Sequence, residues 1–489
     1  MKVEKSSEYK IIDKKHKSAD GQSGMKQIEA DYLVIGTGAV SMTFVDTMLD
    51  ETNANFIMVD RHHLPGGHWN DAYSFVRLHQ PSAFYGVAST ELGSNRIDEV
   101  GSNKGFYDLA SGAEISAYFG KLMSERFLPS GRVQYFPMCN YDGDGKFHSL
   151  LSNQNYAVAV GNKTVDGTFY NTTVPSMHTR KFAVEDDVVC VAPNDLPRLA
   201  AGHKHFTVLG GGKTAMDTCV WLLDNGADPD TITWVCPRDS WLINRGSIQP
   251  GLAFFEKTVG GFAANVEAMR DATSVDDLFK RMEAAGTMLR ADPGVTPSMF
   301  HYATISDGEI AQLRRIKNIV RGQRVAQIEA GQIVMDGGKT VSAAPETLYI
   351  DCTARAVEFV GESTKPVFEP GLITLQAVFA PLVTYSAAVI AHVEASCETD
   401  AEKNALCPPV ELADTPEEWI ASTLGNMMNA YSWSQNKEMN KWANQCRLNP
   451  NAAAIREGAG KDPVHKEILG RIKQNTLLAV MNVQRLIAD

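Results

Sequence analysis

The chain has 489 residues, 44% of them hydrophobic and 21% charged, with a formal net charge of -12 and a pI near 5.5. That leaves room for two or three domains around a large core, while an acidic balance gains nothing from nucleic acid or an anionic membrane surface and excludes both as obligate partners. The eight cysteines are scattered with no C-x-x-C pair and no tight Cys/His cluster, so they read as reduced, buried small residues of a cytoplasmic protein, with no metal site expected.

Residues 1–27 are charged and lack an apolar signal core, and are expected to form a disordered tail. An apolar strand, Tyr32 to Ile35, then runs into Gly36, Gly38 and Ser41, which occupy the positions of Gly-x-Gly-x-x-Gly ahead of a helix. Ser41 stands for the third glycine, a place that needs a small residue for close helix–strand packing. A second apolar strand, Phe56 to Val59, ends in Asp60, 24 residues after Gly36. A carboxylate there can accept both hydroxyls of an adenosine ribose, as in FAD or NAD.

The stretch after Asp60 carries Gly66, Gly67 and Trp69, then Arg77, Tyr85 and Ser89, and Glu114 to Pro137 reads as a helix followed by a strand. Further on, Phe206 to Asp217 spells "FTVLGGGKTAMD". Its GGGKT resembles the end of an ATP- or GTP-binding loop, but that loop needs its first glycine where Thr207 stands, inside the apolar run. The same residues fit Gly-x-Gly-x-x-Ala as Gly210, Gly212 and Ala215, with a helix expected from Thr214 to Asp224 and a pyrophosphate at its N-terminus. No acid ends the following strand, Thr231 to Val235, and Arg238 lies where a guanidinium can pair with a 2'-phosphate, which favours NADPH over NADH. Lys213 is at most an auxiliary to that phosphate.

Residues 250–322 read as a mostly helical insertion, opened in part by a Ser-x-x-Asp cap at Ser274, with a substrate lid and a packing or dimer surface both open as roles. A hairpin-like alternation over 324–341 precedes "LYIDCTARAVEF", which supplies Asp351 and Thr353. Leu372 to Val393 is free of Asp, Glu, Lys and Arg over 22 residues, yet Gln376, Pro381, Thr384, Tyr385, Ser386 and His392 interrupt it. A buried strand, a Pro turn and a buried helix are expected there, not a membrane span. Past Pro409 the chain reads as helical, with cap signatures at Thr415–Pro416 and Asp462–Pro463 and an apolar stripe of Ile468, Leu469, Ile472, Val480, Met481 and Ile487 facing the body or a partner subunit.

From about residue 30 to 395 these motifs together resemble the flavin-containing and Baeyer-Villiger monooxygenases. The resemblance implies an α/β fold of two Rossmann-like dinucleotide-binding domains with a helical insertion and a C-terminal helical tail. The domains expected are an FAD domain in two pieces, 28–170 and 345–410, an NAD(P)H domain over 171–344, and a helical region over 411–489. It implies FAD on Gly36, Gly38, Ser41, Asp60, Arg61, Gly67, His68, Trp69, Asn70, Arg77, Gln80 and Thr353, and NADP(H) on Gly210, Gly212, Lys213, Thr214, Ala215 and Arg238. The implied chemistry is hydride transfer from NADPH to the flavin, then oxygen delivery from a C4a-(hydro)peroxyflavin, formed with O2, to a small organic substrate. Arg77, as a charge stabiliser, and His79, as a proton donor near neutral pH, are the expected catalytic residues.

Three features depart from that pattern. The Phe-x-Gly-x-x-x-His fingerprint before the second turn is missing, leaving only His178; Ala354 replaces a glycine after Thr353; and the insertion is long. A flavin-dependent dehydrogenase or reductase without oxygen insertion therefore stands as an alternative, as does a dinucleotide-sensing protein that assembles through its C-terminal helices. Disulfide reductase chemistry is excluded, because "GGHWNDAYS" supplies no paired redox cysteines.

Overall fold

A computed structural model of the chain describes residues 24–355, 357, 364–450, 452–458 and 462–488. Most of the expected N-terminal tail lies outside them, but Lys26 and Gln27 already belong to the first strand.

Two parallel sheets organise the molecule. The first contains β1 (Lys26–Ile35), β2 (Phe56–Val59), β3 (Val133–Phe136) and β4 (Asn155–Asp166), with helix α1 (Ala39–Glu51) between β1 and β2. The second contains β5 (Cys190–Val191), β6 (Phe206–Leu209), β7 (Ile232–Val235), β8 (Asn318–Val320) and β9 (Leu348–Asp351), with α2 (Lys213–Asp224) joining β6 to β7. Then β10 (Leu372–Thr374) returns to the first sheet. The spatial orders are β3-β2-β1-β4-β10 and β8-β7-β6-β9-β5, with all these neighbours parallel. In both sheets the chain leaves a central strand in one direction and resumes on its other side. The glycine turns after β1 and β6 therefore sit at the switch points, where ligands bind in open parallel sheets.

Short apolar runs specify these strands because central parallel strands are covered on both faces: β2, β6 and β9 are buried at every residue. Helix α1 is buried from Ser41 to Leu49, sealed between its sheet and the apolar helix α6 (Val383–Ser396). The 372–393 segment is the strand, turn and buried helix its sequence suggests. Among the described residues no helix is long and apolar enough to cross a membrane.

Three expectations change. The "LYID" strand, assigned from the sequence to the first domain, pairs as β9 with β6 in the second sheet, in register Asp351 with Leu209. The first sheet is rejoined only at Phe368–Glu369, which pairs antiparallel with β10. The 325–335 hairpin does form, but in a separate four-stranded sheet with residues 183–184 and 340–342. The 250–322 region is helical only in part, through α3 (Phe255–Asp271), α4 (Val275–Ala284) and α5 (Asp307–Leu313); Met299–Ile305 is a strand and β8 belongs to the second parallel sheet itself.

The C-terminal region begins with α7 (Pro416–Gln435), whose Thr415–Glu418 capping box is formed as its sequence indicates. It ends with α8 (Pro463–Ala488), which packs on α3. The buried face of α8 is Ile468, Asn475, Ala479, Val483 and Leu486, whereas Met481 and Ile487 of the expected stripe are exposed. Asn475 and Ala479 share that face with Ile468, Val483 and Leu486, so it is turned from the one an apolar count marks.

Candidate dinucleotide sites

The first turn is built from close backbone approaches. Gly36 has φ +84°, and its N–H donates to the Val59 carbonyl (2.8 Å), tying the turn to the end of β2. Gly66 N–H donates to the Thr37 carbonyl (2.8 Å), and a Cβ on Gly67 would stand 2.9 Å from the Gly38 Cα. Only glycine allows the 66–67 segment to cross the turn this closely. Helix α1 starts at Gly38 with no side-chain cap, leaving its first N–H groups for an anion. Ser41 is fully buried opposite Gly167, whose missing side chain provides its space.

Asp60 is placed differently from the expected free ribose acceptor. It is 5% exposed; Oδ2 accepts from the Thr37 N–H and hydroxyl, and Oδ1 accepts from His62 N–H (2.7 Å) and lies 2.8 Å from His62 Nδ1. Four hydrogen bonds fill a carboxylate's acceptor capacity. The other ring nitrogen of His62 lies 2.7 Å from Asp71 Oδ2. With carboxylates at both nitrogens the ring is held as an imidazolium: hydrogen bonding to Asp60 raises its pKa, opposed by burial and aided by Asp71. Burial pushes the Asp60 carboxyl upward, but the bonds from His62 and Thr37 outweigh it and hold it below the ordinary value. His62 was missed from the sequence, although an Asp-x-His at a strand end is the local signal. Arg61 is exposed.

Two further residues unseen in the sequence lie along the same sheet edge. In register across the sheet, Ile35 faces Asp166 and Asp166 faces Thr374. Thr374 is fully buried and Gln376 is 3% exposed, yet among the described residues Thr374 Oγ1 and Gln376 Oε1 have no hydrogen-bond partner, and neither do Ser41 Oγ, Thr47 Oγ1 and Tyr135 OH of the same unit. Buried polar atoms are normally paired. The uncapped N-terminus of α1 at the switch point fits an anionic ligand such as the pyrophosphate of a dinucleotide.

The segment after the first turn is held by its own bonds. Asn70 Nδ2 donates to the Gly67 carbonyl (2.9 Å), and Trp69 Nε1 donates to Tyr85 OH (2.9 Å). Ser89 Oγ donates to Asp46 (2.6 Å). Gln80 is half-buried. Arg77 is exposed and donates to the Leu109 carbonyl (2.8 Å), a surface tie and not a buried charge. His79 departs from a near-neutral proton donor: burial, with Lys213 and Arg245 nearby, pushes it down to about 3. His68 is likewise pushed down to about 4, mainly by burial.

At the second turn Gly210 has φ +130°, and a Cβ there would stand 2.6 Å from the Cys352 carbonyl oxygen; one on Gly211 would stand 2.7 Å from the Arg238 carbonyl oxygen. Gly212 faces open space and caps α2 without a side chain, and Ala215 is fully buried. Thr214 is half-buried and its carbonyl accepts from Thr218 (2.8 Å). Lys213 turns away from the expected phosphate: Nζ pairs with Asp217 and lies 3.1 Å from Glu309 Oε1. Glu309 also pairs with the buried Arg245 (2.5 Å), whose Nε donates to the His79 carbonyl (2.7 Å), while Tyr73 OH donates to Asp217 (2.9 Å). This network joins the segment after the first turn, through Tyr73 and His79, to the helix that follows the second.

Arg238 is exposed and forms no ion pair among the described residues, whereas the adjacent Asp239 is taken by Arg321 (2.7 Å). His301, close by, is lowered by burial first, then by Arg238 and Arg355. Thr353 N–H and hydroxyl both donate to Asp351 Oδ1 (3.0 and 2.6 Å), and His178 Nε2 lies 3.1 Å from Asp351 Oδ2. They gather at the end of β9, in the second sheet. Among the described residues no cluster of three or more His, Cys, Asp and Glu could hold a metal.

No protein-family model matches the chain. It is 48% identical over 428 residues to uncharacterized proteins of Mycobacterium tuberculosis and Mycobacterium bovis, covering 88% of this chain and 79% of theirs. Among solved structures it is similar to ε-caprolactone-bound cyclohexanone monooxygenase (11% identity, 92% of this chain and 98% of that one, TM-score 0.48). It is also similar to a flavin-containing monooxygenase from Stenotrophomonas maltophilia (11%, 85% and 99%, 0.41) and to a bacillithiol disulfide reductase from Bacillus cereus (12%, 76% and 100%, 0.42).

Proposed function

We propose an FAD-dependent, NADPH-reduced oxidoreductase function for this chain, which belongs to the same family as the uncharacterized mycobacterial proteins it matches at 48% identity. The observation that carries the reading is the pair of uncapped glycine turns, Gly36–Gly38 and Gly210–Gly212, each at the switch point of its own parallel sheet. Each offers backbone N–H groups to a pyrophosphate. The first turn is assigned the FAD, and the second, with Arg238 forming no ion pair among the described residues, the NADPH. Bound FAD would supply hydride acceptance and, once reduced, oxygen activation.

The chain's own part is binding and orientation. Gly67 and Asn70 hold the crossing segment over the first turn, Trp69 and Tyr85 stiffen the stretch beyond it, and the Lys213–Glu309–Arg245 network fixes the two units against each other. His68 and His79, pushed down by burial to about 4 and about 3, do not serve as proton donors near pH 7 on this reading. A small organic substrate and O2 complete the reading as a monooxygenase.

One observation favours the second reading, a reductase that inserts no oxygen: the stretch before the second turn offers only His178, and its ring is tied to Asp351. Anaerobic reduction by NADPH followed by O2 separates the readings. An oxygenated product from a substrate panel supports the monooxygenase; direct reoxidation with stoichiometric H2O2 and no product supports the reductase. A protein without a flavin spectrum, and taking up none, refutes both.

A further inference from the structure

Two connections, one from each parallel sheet, meet and exchange buried hydrogen bonds. Residues 96–108, between β2 and β3, fold back on themselves as an arm: Ile97 and Tyr107 form an antiparallel bridge, Asp98 N–H donates to the Phe106 carbonyl (2.9 Å), and Asn103 Nδ2 donates to Asp98 Oδ2 (2.7 Å). The arm docks on the connection from β7 to β8. There Ser306 Oγ donates to the Ser102 carbonyl (2.6 Å), and Gln249 Oε1 accepts from the Tyr107 N–H (2.9 Å). Gly308 shows how closely the two meet, since a Cβ on it would stand 2.6 Å from the Ser102 carbonyl oxygen.

Arg245 is the node of this contact. It is 1% exposed; Nε donates to the His79 carbonyl (2.7 Å) on the segment after the first turn, and Nη1 donates to Asn103 Oδ1 (3.1 Å) in the arm and pairs with Glu309 (2.5 Å). Glu309 in turn lies 3.1 Å from Nζ of Lys213, the first residue of α2 after the second turn. One guanidinium therefore connects the segment leaving the first turn with the helix leaving the second. Stability alone does not call for such a group, because well-packed apolar residues often replace a buried ion pair without loss. What they lack is direction: a planar fork holds its three acceptors at set angles.

We propose that Arg245 is a positioning residue that holds the two glycine turns at the separation hydride transfer needs, with the 96–108 arm keeping its guanidinium in place. This rests on the reading of FAD at the first turn and NADPH at the second. In that step a hydride carries two electrons from NADPH to FAD, leaving NADP+ and FADH-. Its rate depends steeply on approach, and a displacement of about 1 Å can cost roughly 100-fold. The side-chain bonds of Arg245 go to neither glycine turn, so its loss should slow the transfer and leave the binding of each dinucleotide as it was.

Arg245→Lys keeps a cation for Glu309 but cannot hold three acceptors at once. Flavin reduction at saturating NADPH, followed anaerobically over one turnover, should slow by roughly 10- to 100-fold, while FAD and NADP+ affinities and reduction by dithionite stay unchanged. In the cofactor-free protein the amides of 98–108, Tyr107 among them, should exchange faster with deuterium. Gly308→Ala reads the same quantities should the first variant fail to fold: alanine suits α5 better than glycine, so its effect comes from displacing Ser102. A wild-type reduction rate in either folded variant overturns the proposal, as do unchanged exchange in the arm and a rate lost in parallel with affinity or with dithionite reduction. Wild-type protein whose flavin NADPH does not reduce refutes the oxidoreductase reading itself, a result distinct from an unchanged variant.

Discussion

The Ser41 hydroxyl occupies the space that a β-carbon on Gly167 would need, so a serine in α1 and a glycine after β4 form one complementary contact. The carbonyl oxygen of Ile35 lies 2.9 Å from the same position, closing the other side. The serine in the third position of the turn is accommodated by a residue 126 positions later in the chain.

Gly167→Ala should therefore destabilise the protein by about 1–3 kcal/mol, the usual cost of overpacking a filled site. Ser41→Ala alone should be neutral or slightly stabilising, because it deletes a buried hydroxyl without a partner. In the double variant the alanine at 41 should recover part of the loss. Urea denaturation of the four proteins measures this, and strict additivity would mean that the contact does not limit packing.

The Asp60–His62–Asp71 arrangement gives stability a definite pH dependence. His62 is raised above its ordinary 6.5, so its contribution is complete below that pH and is lost as pH rises through the folded value. Asp60 is lowered below 3.8, so its contribution is complete above that pH and is lost as pH falls through the folded value. Both are present between about pH 3.8 and 6.5. Charge-assisted bonds of this kind contribute roughly 1.5–3 kcal/mol. Melting temperatures from pH 6 to 9 should fall more steeply for the wild type than for His62→Asn; parallel curves would show that the ring is not held as a cation.

The two glycine turns were legible because everything that defines them is local: an apolar strand, fixed glycine spacing, and for the first turn an acid at the end of the next strand. Sheet membership was not. The run "LYID" reads as a buried strand from its composition, but nothing in it says that Asp351 pairs with Leu209 and not with the first sheet. The polar machinery was legible least. Lys213 meets Glu309 across 96 positions and Arg245 meets the His79 carbonyl across 166, and among the described residues nothing reaches the oxygens of Thr374 and Gln376. Arg77 and His79 illustrate the converse, since a suggestive sequence position did not fix burial or charge.

The Lys213–Glu309–Arg245 network predicts a large effect from a conservative change. Burial alone would raise the Glu309 carboxyl, but Lys213 and Arg245 hold it far below the usual range. Glu309→Gln keeps the size and the capping of α5, since glutamine also serves in a capping box. It leaves Arg245, 1% exposed, without its anion. Breaking a buried pair in this way costs about 3–5 kcal/mol. A loss under about 1 kcal/mol in chemical denaturation would mean that solvent already screens the network.

His79, lowered to about 3, does not take up or release the imidazolium proton in the physiological range. The pH profile of NADPH oxidation between 5 and 8 should keep its shape in His79→Asn, whatever happens to its height. Disappearance of a limb near pH 6 or 7 would restore the imidazole as a working acid.

Arg238 supplies the test of coenzyme choice. Its guanidinium is exposed and unpaired among the described residues, its carbonyl abuts Gly211 in the second turn, and Arg355 adds a second cation acting on the neighbouring His301. Asp239 could have neutralised it but is occupied by Arg321. On the proposed reading, a phosphate on the adenosine ribose would meet that charge and a bare ribose would not. Arg238→Gln should raise KM for NADPH by roughly 10- to 100-fold, the equivalent of one charge-assisted bond, and leave KM for NADH nearly unchanged. Because the residue is exposed, the melting temperature should stay within about 1 °C of the wild type, as for surface substitutions generally. Equal losses for the two coenzymes would place the 2'-phosphate elsewhere and make Arg355→Gln the next variant to measure.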